Sequence, residues 1–207
     1  MKEKLEKLFT WPDVIPNVPK DNHHWFGEGN RTVLNHLIDE LNPKFILEMG
    51  SWTGAGSTNF ILNKAPNSHL VCIDHWGSDL NMYNLQKAWT PTDEELSRLK
   101  NLWETFLMNT WEHKTHLTPI RKKTVEALEF LKPLDIPFDL IYIDAHHDYE
   151  SVLHDISVSG EIWPNAVICG DDYRWPDGGV AKAVHEYADK NNLIVNGVDQ
   201  CWFYTKK

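Results

Sequence analysis

Phe45-Ile46-Leu47-Glu48-Met49-Gly50-Ser51-Trp52-Thr53-Gly54-Ala55-Gly56-Ser57 carries an apolar run straight into a glycine-bearing turn. Residues 45–49 read as a short buried strand. A helix follows the turn to about Lys64 and is stopped by Pro66. Glycines in a strand-to-helix turn let backbone approach a ligand closely and tolerate positive φ. The spacing is Glu-x-Gly-x-x-x-Gly. It is not the G-x-G-x-x-G of dinucleotide folds, because Trp52 fills the second glycine's place, where bulk obstructs a pyrophosphate. Nor is it a P-loop, since no Gly-Lys-Ser/Thr follows. A tight turn that binds nothing is the alternative.

The pattern extends in both directions from that turn. Upstream, Val33, Leu34, Leu37, Ile38 and Leu41 fall at the spacing of one helical face from Arg31 to Leu41, and Pro43 ends it. Residues 1–30 read as irregular, because Pro12, Pro16 and Pro19 break any helix. Downstream, strands are predicted at His69–Asp74, His116–Ile120, Phe138–Asp144 and Ala166–Asp171. Helices are predicted at Thr124–Leu131, Tyr149–Ile162 and after Gly178-Gly179. The tail, Leu193–Val198 and Cys201–Tyr204, reads as a hairpin. A Trp- and His-rich insertion follows Asp74. Its second half reads as a helix, with Thr92 and Glu95 as a capping box and Leu96, Leu99, Trp103, Phe106 and Leu107 on one face. Alternating strands and helices predict an α/β fold: a doubly wound, mostly parallel seven-stranded sheet with helices on both faces and an antiparallel C-terminal strand.

Composition narrows the function. The 207 residues carry 20 Lys and Arg against 30 Asp and Glu, a net charge of −10 with histidines neutral. That balance argues against gripping nucleic acid or an anionic membrane by bulk charge. No run approaches the ~20 apolar residues of a membrane span. The start, MKEKLEKLFTW, lacks the apolar core of a secretory signal, so a cytoplasmic location is expected. Cys72, Cys169 and Cys201 each sit in an apolar run, which predicts buried, reduced thiols. Trp11, Trp25, Trp52, Trp76, Trp89, Trp103 and Trp111 fall outside the strands and either roof a pocket or pack a lid.

Acids stand at four strand ends: Glu48, Asp74, Asp144, and Asp171 with Asp172. A carboxylate there is costly to bury alone, and ligands of such sheets bind beyond the strands' carboxyl ends. Asp74, 24 positions after Gly50, stands where an acid accepts both hydroxyls of a ribose; capping the next turn is the alternative. Trp76 is placed to cover an adenine face.

Four segments, LEMGSWTGAGST, VCIDHW, IYIDAHHDYESVLHDI and AVICGDDY, resemble class I S-adenosylmethionine (SAM)-dependent methyltransferases. The last two resemble the family that includes macrocin O-methyltransferase and other sugar O-methyltransferases of antibiotic pathways. The likeness runs from about Phe45 to Tyr204. It implies a Rossmann-like methyltransferase fold in one domain, 1–207, with 1–30 and 75–112 as lid segments on the acceptor side. It implies that Glu48, Gly50, Ser51, Gly54 and Asp74 hold the cofactor, with Thr124 near the adenine. Two departures bear on the acceptor: Ala145-His146 replaces a common Gly-Asp pair, and Asn165-Ala166 replaces a Gly-Gly.

In this fold the fourth and fifth strands are neighbours, so Asp144, Asp171 and Asp172 converge. Such carboxylates repel unless a cation or proton intervenes. All-oxygen ligation suits Mg²⁺, and the resemblance implies the same three positions as metal ligands; capping of the Tyr173 loop is the alternative. The expected activity is Mg²⁺-assisted O-methyl transfer to a small polyhydroxylated acceptor such as a sugar, with Asp144 as general base and His147 as runner-up. A facial triad drawn from His146-His147-Asp148 is disfavoured, because such triads usually sit on antiparallel barrels. The other readings are a methyltransferase-fold binding module without turnover and an NAD-type oxidoreductase, which Trp52 disfavours. A nucleic-acid or amide N-methyltransferase is disfavoured because no Asn/Asp-Pro-Pro-Tyr follows the fourth strand. A homo-oligomer is left open.

Overall fold

The computed structural model describes residues 2–77 and 92–207; Trp89 and the first half of the insertion lie outside them. The strands are β1 Phe45–Met49, β2 His69–Asp74, β3 Leu117–Arg121, β4 Leu140–Ile143, β5 Val167–Gly170, β6 Leu193–Val198 and β7 Cys201–Lys206. The helices are α1 Lys2–Glu6, α2 Glu28–Leu41, α3 Ser57–Lys64, α4 Asp93–Arg98, α5 Leu102–Thr110, α6 Thr124–Leu131, α7 Tyr149–Ile162 and α8 Gly179–Asn191. The sheet order is β3-β2-β1-β4-β5-β7-β6. β1 to β5 run parallel, and β7 pairs antiparallel with β5 and β6.

β1 lies between β2 and β4. The order therefore reverses there, which opens a crevice above the carboxyl ends of β1 and β4. The strands are apolar on both faces because both are covered. Leu47, Met49, Val71, Ile141 and Ile143 face one core with α6, α7 and α8. Ile46, Leu70, Cys72, Leu140 and Tyr142 face the other with α2, α3 and α5.

The structure differs from expectation at the edges. Residues 1–30 are not wholly irregular: α1 forms before the first proline, and α2 starts at Glu28 instead of Arg31. The helix expected in the insertion is two helices joined by a 3₁₀ turn over Leu99–Asn101. The Thr92–Glu95 capping box is present. It starts α4, and the apolar face continues through Leu99, Leu102 and Phe106. All three cysteines are buried and free. Among the described residues no helix is long and apolar enough to cross a membrane.

Candidate functional site

A cleft of about 520 Å³ opens at the carboxyl ends of the parallel strands. Its walls are the turn after β1, the segment His24–Asn30, Asp74 and His75 after β2, Lys122–Thr124 before and at the start of α6, Asp144–His147 after β4, and Asp171, Asp172 and Trp175 after β5.

The turn is shaped by hydrogen bonding. Gly50 sits at φ +86°, and its N–H donates to Ile73 O at 2.8 Å. One oxygen of Asp74 accepts from the Ser51 and Trp52 N–H groups at 3.1 and 2.9 Å. The other accepts from the Trp76 N–H at 2.8 Å. Trp52 and Trp76 have φ of +48° and +38°, which a non-glycine residue adopts only at a cost. Asp74 holds both in place. It thus caps the turn and borders the cleft at once.

Several residues expected to touch the cofactor stand elsewhere. Glu48 is fully buried beneath the turn and is not on the cleft wall. Its Oε2 accepts from Ser51 Oγ at 2.6 Å, Thr58 Oγ1 at 2.6 Å and Cys72 Sγ at 3.2 Å. Burial raises its pKa against those donors, so Glu48 braces the turn from below. Gly54 faces Phe106 and Thr110 of α5, with which an added Cβ would collide at 3.0 and 2.9 Å. Its role is close packing, not cleft lining. Trp76 is 1% exposed. It packs on Phe106 and Trp103 at 4.3 and 4.8 Å between centroids, and its indole N–H donates to Trp52 O at 2.8 Å. It therefore presents no face to a ligand. Gly50, Ser51 and Thr124 do border the cleft. So does His75, whose pKa is lowered by burial.

The ends of β4 and β5 bring a mixed donor set together. Ligand atoms of Asp144, His147 and Asp172 all lie within 4.8 Å of one another. His147 Nε2 is 2.9 Å from Asp172 Oδ2 and 3.6 Å from Asp144 Oδ1. The expected trio had Asp171 where this group has His147. Asp171 turns one oxygen to Asn30, whose Nδ2 donates to Oδ2 at 2.6 Å. Its Oδ1 is buried without a partner. Burial opposes a charge on His147, but the flanking carboxylates of Asp144 and Asp172 override it and raise its pKa to about 10. Burial, with Asp171 and Asp172 nearby, raises Asp144 well above the usual range. Burial and Asp172 lift Asp171 to about 6. The cluster therefore retains positive charge or protons at neutral pH, as crowded acids must.

Among the cleft residues, Asn30 and Trp175 were missed, and Trp25 was named only among tryptophans that roof a pocket or pack a lid. Asn30 is 2% exposed and accepts from Tyr142 Oη at 3.2 Å while donating to Asp171. A signal existed: positions 30, 33, 34 and 37 share one face of α2, so a polar residue stood on its buried side. Trp175 packs on the His147 ring at 4.3 Å, and Trp25 lies 5.3 Å from Trp52 at the rim. Nothing local in the sequence separates these indoles from the others. Asn30→Leu leaves the Tyr142 hydroxyl and Asp171 Oδ2 without partners. It is expected to lower stability by about 2–3 kcal/mol, read as a lower urea midpoint at unchanged m; an unmoved midpoint refutes the role.

This strand order, with a glycine turn and a cleft at the switch point, defines a Rossmann-like methyltransferase fold. A family model described as "Methyltransferase domain" matches residues 47–173, more than half of the chain. The chain belongs to that family. It is similar to the Bacillus cereus O-methyltransferase solved in complex with SAH, at 16% identity and TM-score 0.60, over 100% of this chain and 90% of that one. It is also similar to the Streptomyces achromogenes O-methyltransferase TomG, involved in tomaymycin synthesis and solved in complex with SAM. That match has 17% identity and TM-score 0.60, over 100% of this chain and 87% of that one. No curated protein matches the sequence significantly.

Proposed function

We propose that the protein is a SAM-dependent O-methyltransferase, assisted by a divalent cation, that acts on a small polyhydroxylated molecule such as a sugar or glycosylated metabolite. The observation that carries this reading is one cleft that joins the Gly50 turn and Asp74 to the Asp144–His147–Asp172 cluster. When bound, SAM supplies an electrophilic methyl group on a sulfonium. The turn amides, Ser51, Thr124 and Asp74 would hold it at the β1–β2 side of the cleft.

The donor set fits a divalent ion: two carboxylates and an imidazole converge, and a buried oxygen of Asp171 nearby has no partner. Such an ion lowers the pKa of a hydroxyl placed against it, and the aspartates alone would select Mg²⁺. Asp144 takes up the proton that the acceptor hydroxyl gives up. His147 is the second choice for base. The segment His24–Asn30 and the insertion beginning at His75 are assigned to covering the acceptor. The net charge of −10 favours a small acceptor over nucleic acid, and a cytoplasmic site of action suits the reduced thiols.

The test is calorimetry with S-adenosylhomocysteine, followed by methyl transfer to vicinal diols with and without EDTA. Uptake of the product and EDTA-sensitive turnover are expected, with recovery on adding a divalent salt and at least a hundredfold loss in Asp172→Ala. Failure to take up S-adenosylhomocysteine refutes the donor. Turnover indifferent to EDTA refutes the ion alone.

A further inference from the structure

We propose that His147 is a direct ligand of the ion, so that the site takes a first-row transition ion such as Fe²⁺, Co²⁺ or Mn²⁺ in preference to Mg²⁺. The inference rests on the divalent-ion reading above and names the ion class and the third ligand.

Nε2 stands 2.9 Å from Asp172 Oδ2 and 3.6 Å from Asp144 Oδ1, yet neither ring nitrogen is aligned for a hydrogen bond. A histidine placed only to bridge two carboxylates should aim an N–H along one of those contacts. Atoms that share a cation converge on a common centre instead. Bonds of about 2.1 Å place neighbouring octahedral ligands about 3 Å apart, and the two observed separations bracket that value.

A second observation is independent of the triad. Asp171 is 9% exposed, borders the same cleft and carries an unpartnered Oδ1. Buried carboxylate oxygens are rarely left so without an ion or water. Meanwhile Asn30 on the other oxygen fixes the group's orientation.

The ring is also held. Trp175 packs on it at 4.3 Å, and the Trp175 N–H donates to Asp172 O at 2.8 Å. One short loop thus packs against the imidazole and fixes the backbone of Asp172, as supports around metal ligands do. Imidazole nitrogen is a poor ligand for Mg²⁺ and a good one for first-row transition ions. Ligation through Nε2 also removes His147 from contention as the base and leaves that role to the second oxygen of Asp144, since each residue offers the ion one atom.

Mn²⁺ serves as the probe, because its electron spin reports directly bound nitrogen. The full chain is titrated with Mn²⁺ alone, and electron spin-echo modulation is recorded on the bound fraction. Strong ¹⁴N coupling is expected in the wild type and in His75→Ala and His146→Ala. It should vanish in His147→Ala, which should still bind S-adenosylhomocysteine as evidence of an intact cleft. Competition should show Mn²⁺ at least tenfold tighter than Mg²⁺ in the wild type, with the preference collapsing in His147→Ala. Bound Mn²⁺ without nitrogen coupling, or coupling that survives in His147→Ala, overturns the ligand assignment while leaving the divalent-ion reading intact. A wild type that takes up no Mn²⁺ overturns both.

Discussion

Gly50→Ala is expected to destabilise the protein by about 4 kcal/mol or more and to abolish S-adenosylhomocysteine binding. Two costs add. A side chain at φ +86° is strained, at about 1–3 kcal/mol. The new Cβ would stand 1.8 Å from Asp144 O and 2.9 Å from Ala145 Cα. Those are backbone atoms of the neighbouring strand end and cannot swing aside. Asp144 N–H donates to Met49 O at 2.8 Å, so any retreat breaks the β1–β4 register. Overpacking of this kind adds about 1–3 kcal/mol, and more where the neighbour is rigid.

A loss of that size lowers the melting temperature of a chain this long by about 10 °C or more. Gly178→Ala separates the two terms. Gly178 has φ +71°, but an added Cβ there meets nothing within 4 Å, so only the strain of about 1–3 kcal/mol remains. If the two variants melt together, the close approach of β4 to the turn is not what requires glycine at position 50. The backbone displaced at Gly50 is that of Asp144, so the same change also disorders the carboxylate cluster.

The same geometry explains what was legible in the sequence. Strand positions and the cleft's end of the sheet followed from apolar runs ending in acids, because a doubly covered strand must be apolar throughout and a carboxylate can stand only where the strand emerges. Asp74, Asp144, Asp171 and Asp172 were therefore placed at the right end of the sheet, while Ser51 and Thr124 came from the family resemblance and Gly50 from the glycine turn. Which way each side chain turns was not legible. Glu48 also ends an apolar run, yet strands alternate, and its turn of the pleat points beneath the glycine loop toward Thr58 and Cys72. One oxygen of Asp171 is held by Asn30, 141 positions away in sequence. Trp76 follows an exposed-looking acid but is carried inward by the positive φ that Asp74 itself stabilises. Long-range hydrogen bonds and single backbone inversions decide these cases, and neither leaves a periodic trace.

Asp74→Asn is expected to weaken S-adenosylhomocysteine binding at least tenfold, and the 2′-deoxy analogue far less. Asp74 has two roles here, and the variant affects both. Its three accepted N–H bonds hold Ser51, Trp52 and Trp76. An amide keeps one oxygen and turns donor hydrogens toward the remaining N–H groups. The turn therefore loosens, at a cost of about 1–3 kcal/mol in stability. That cost is common to both ligands and cancels in the ratio of their affinities. What survives the ratio is the contact between the residue and the ribose hydroxyl, because coupling appears only where the two altered groups interact. A ratio well above one places the hydroxyl on the free face of Asp74. Equal weakening of the two ligands confines Asp74 to holding the turn, and the ribose must then be read elsewhere in the cleft. In that event the carboxylate acts on the cofactor through the backbone it holds, at Ser51 and at Trp52, the residue that stands where a dinucleotide fold would carry glycine.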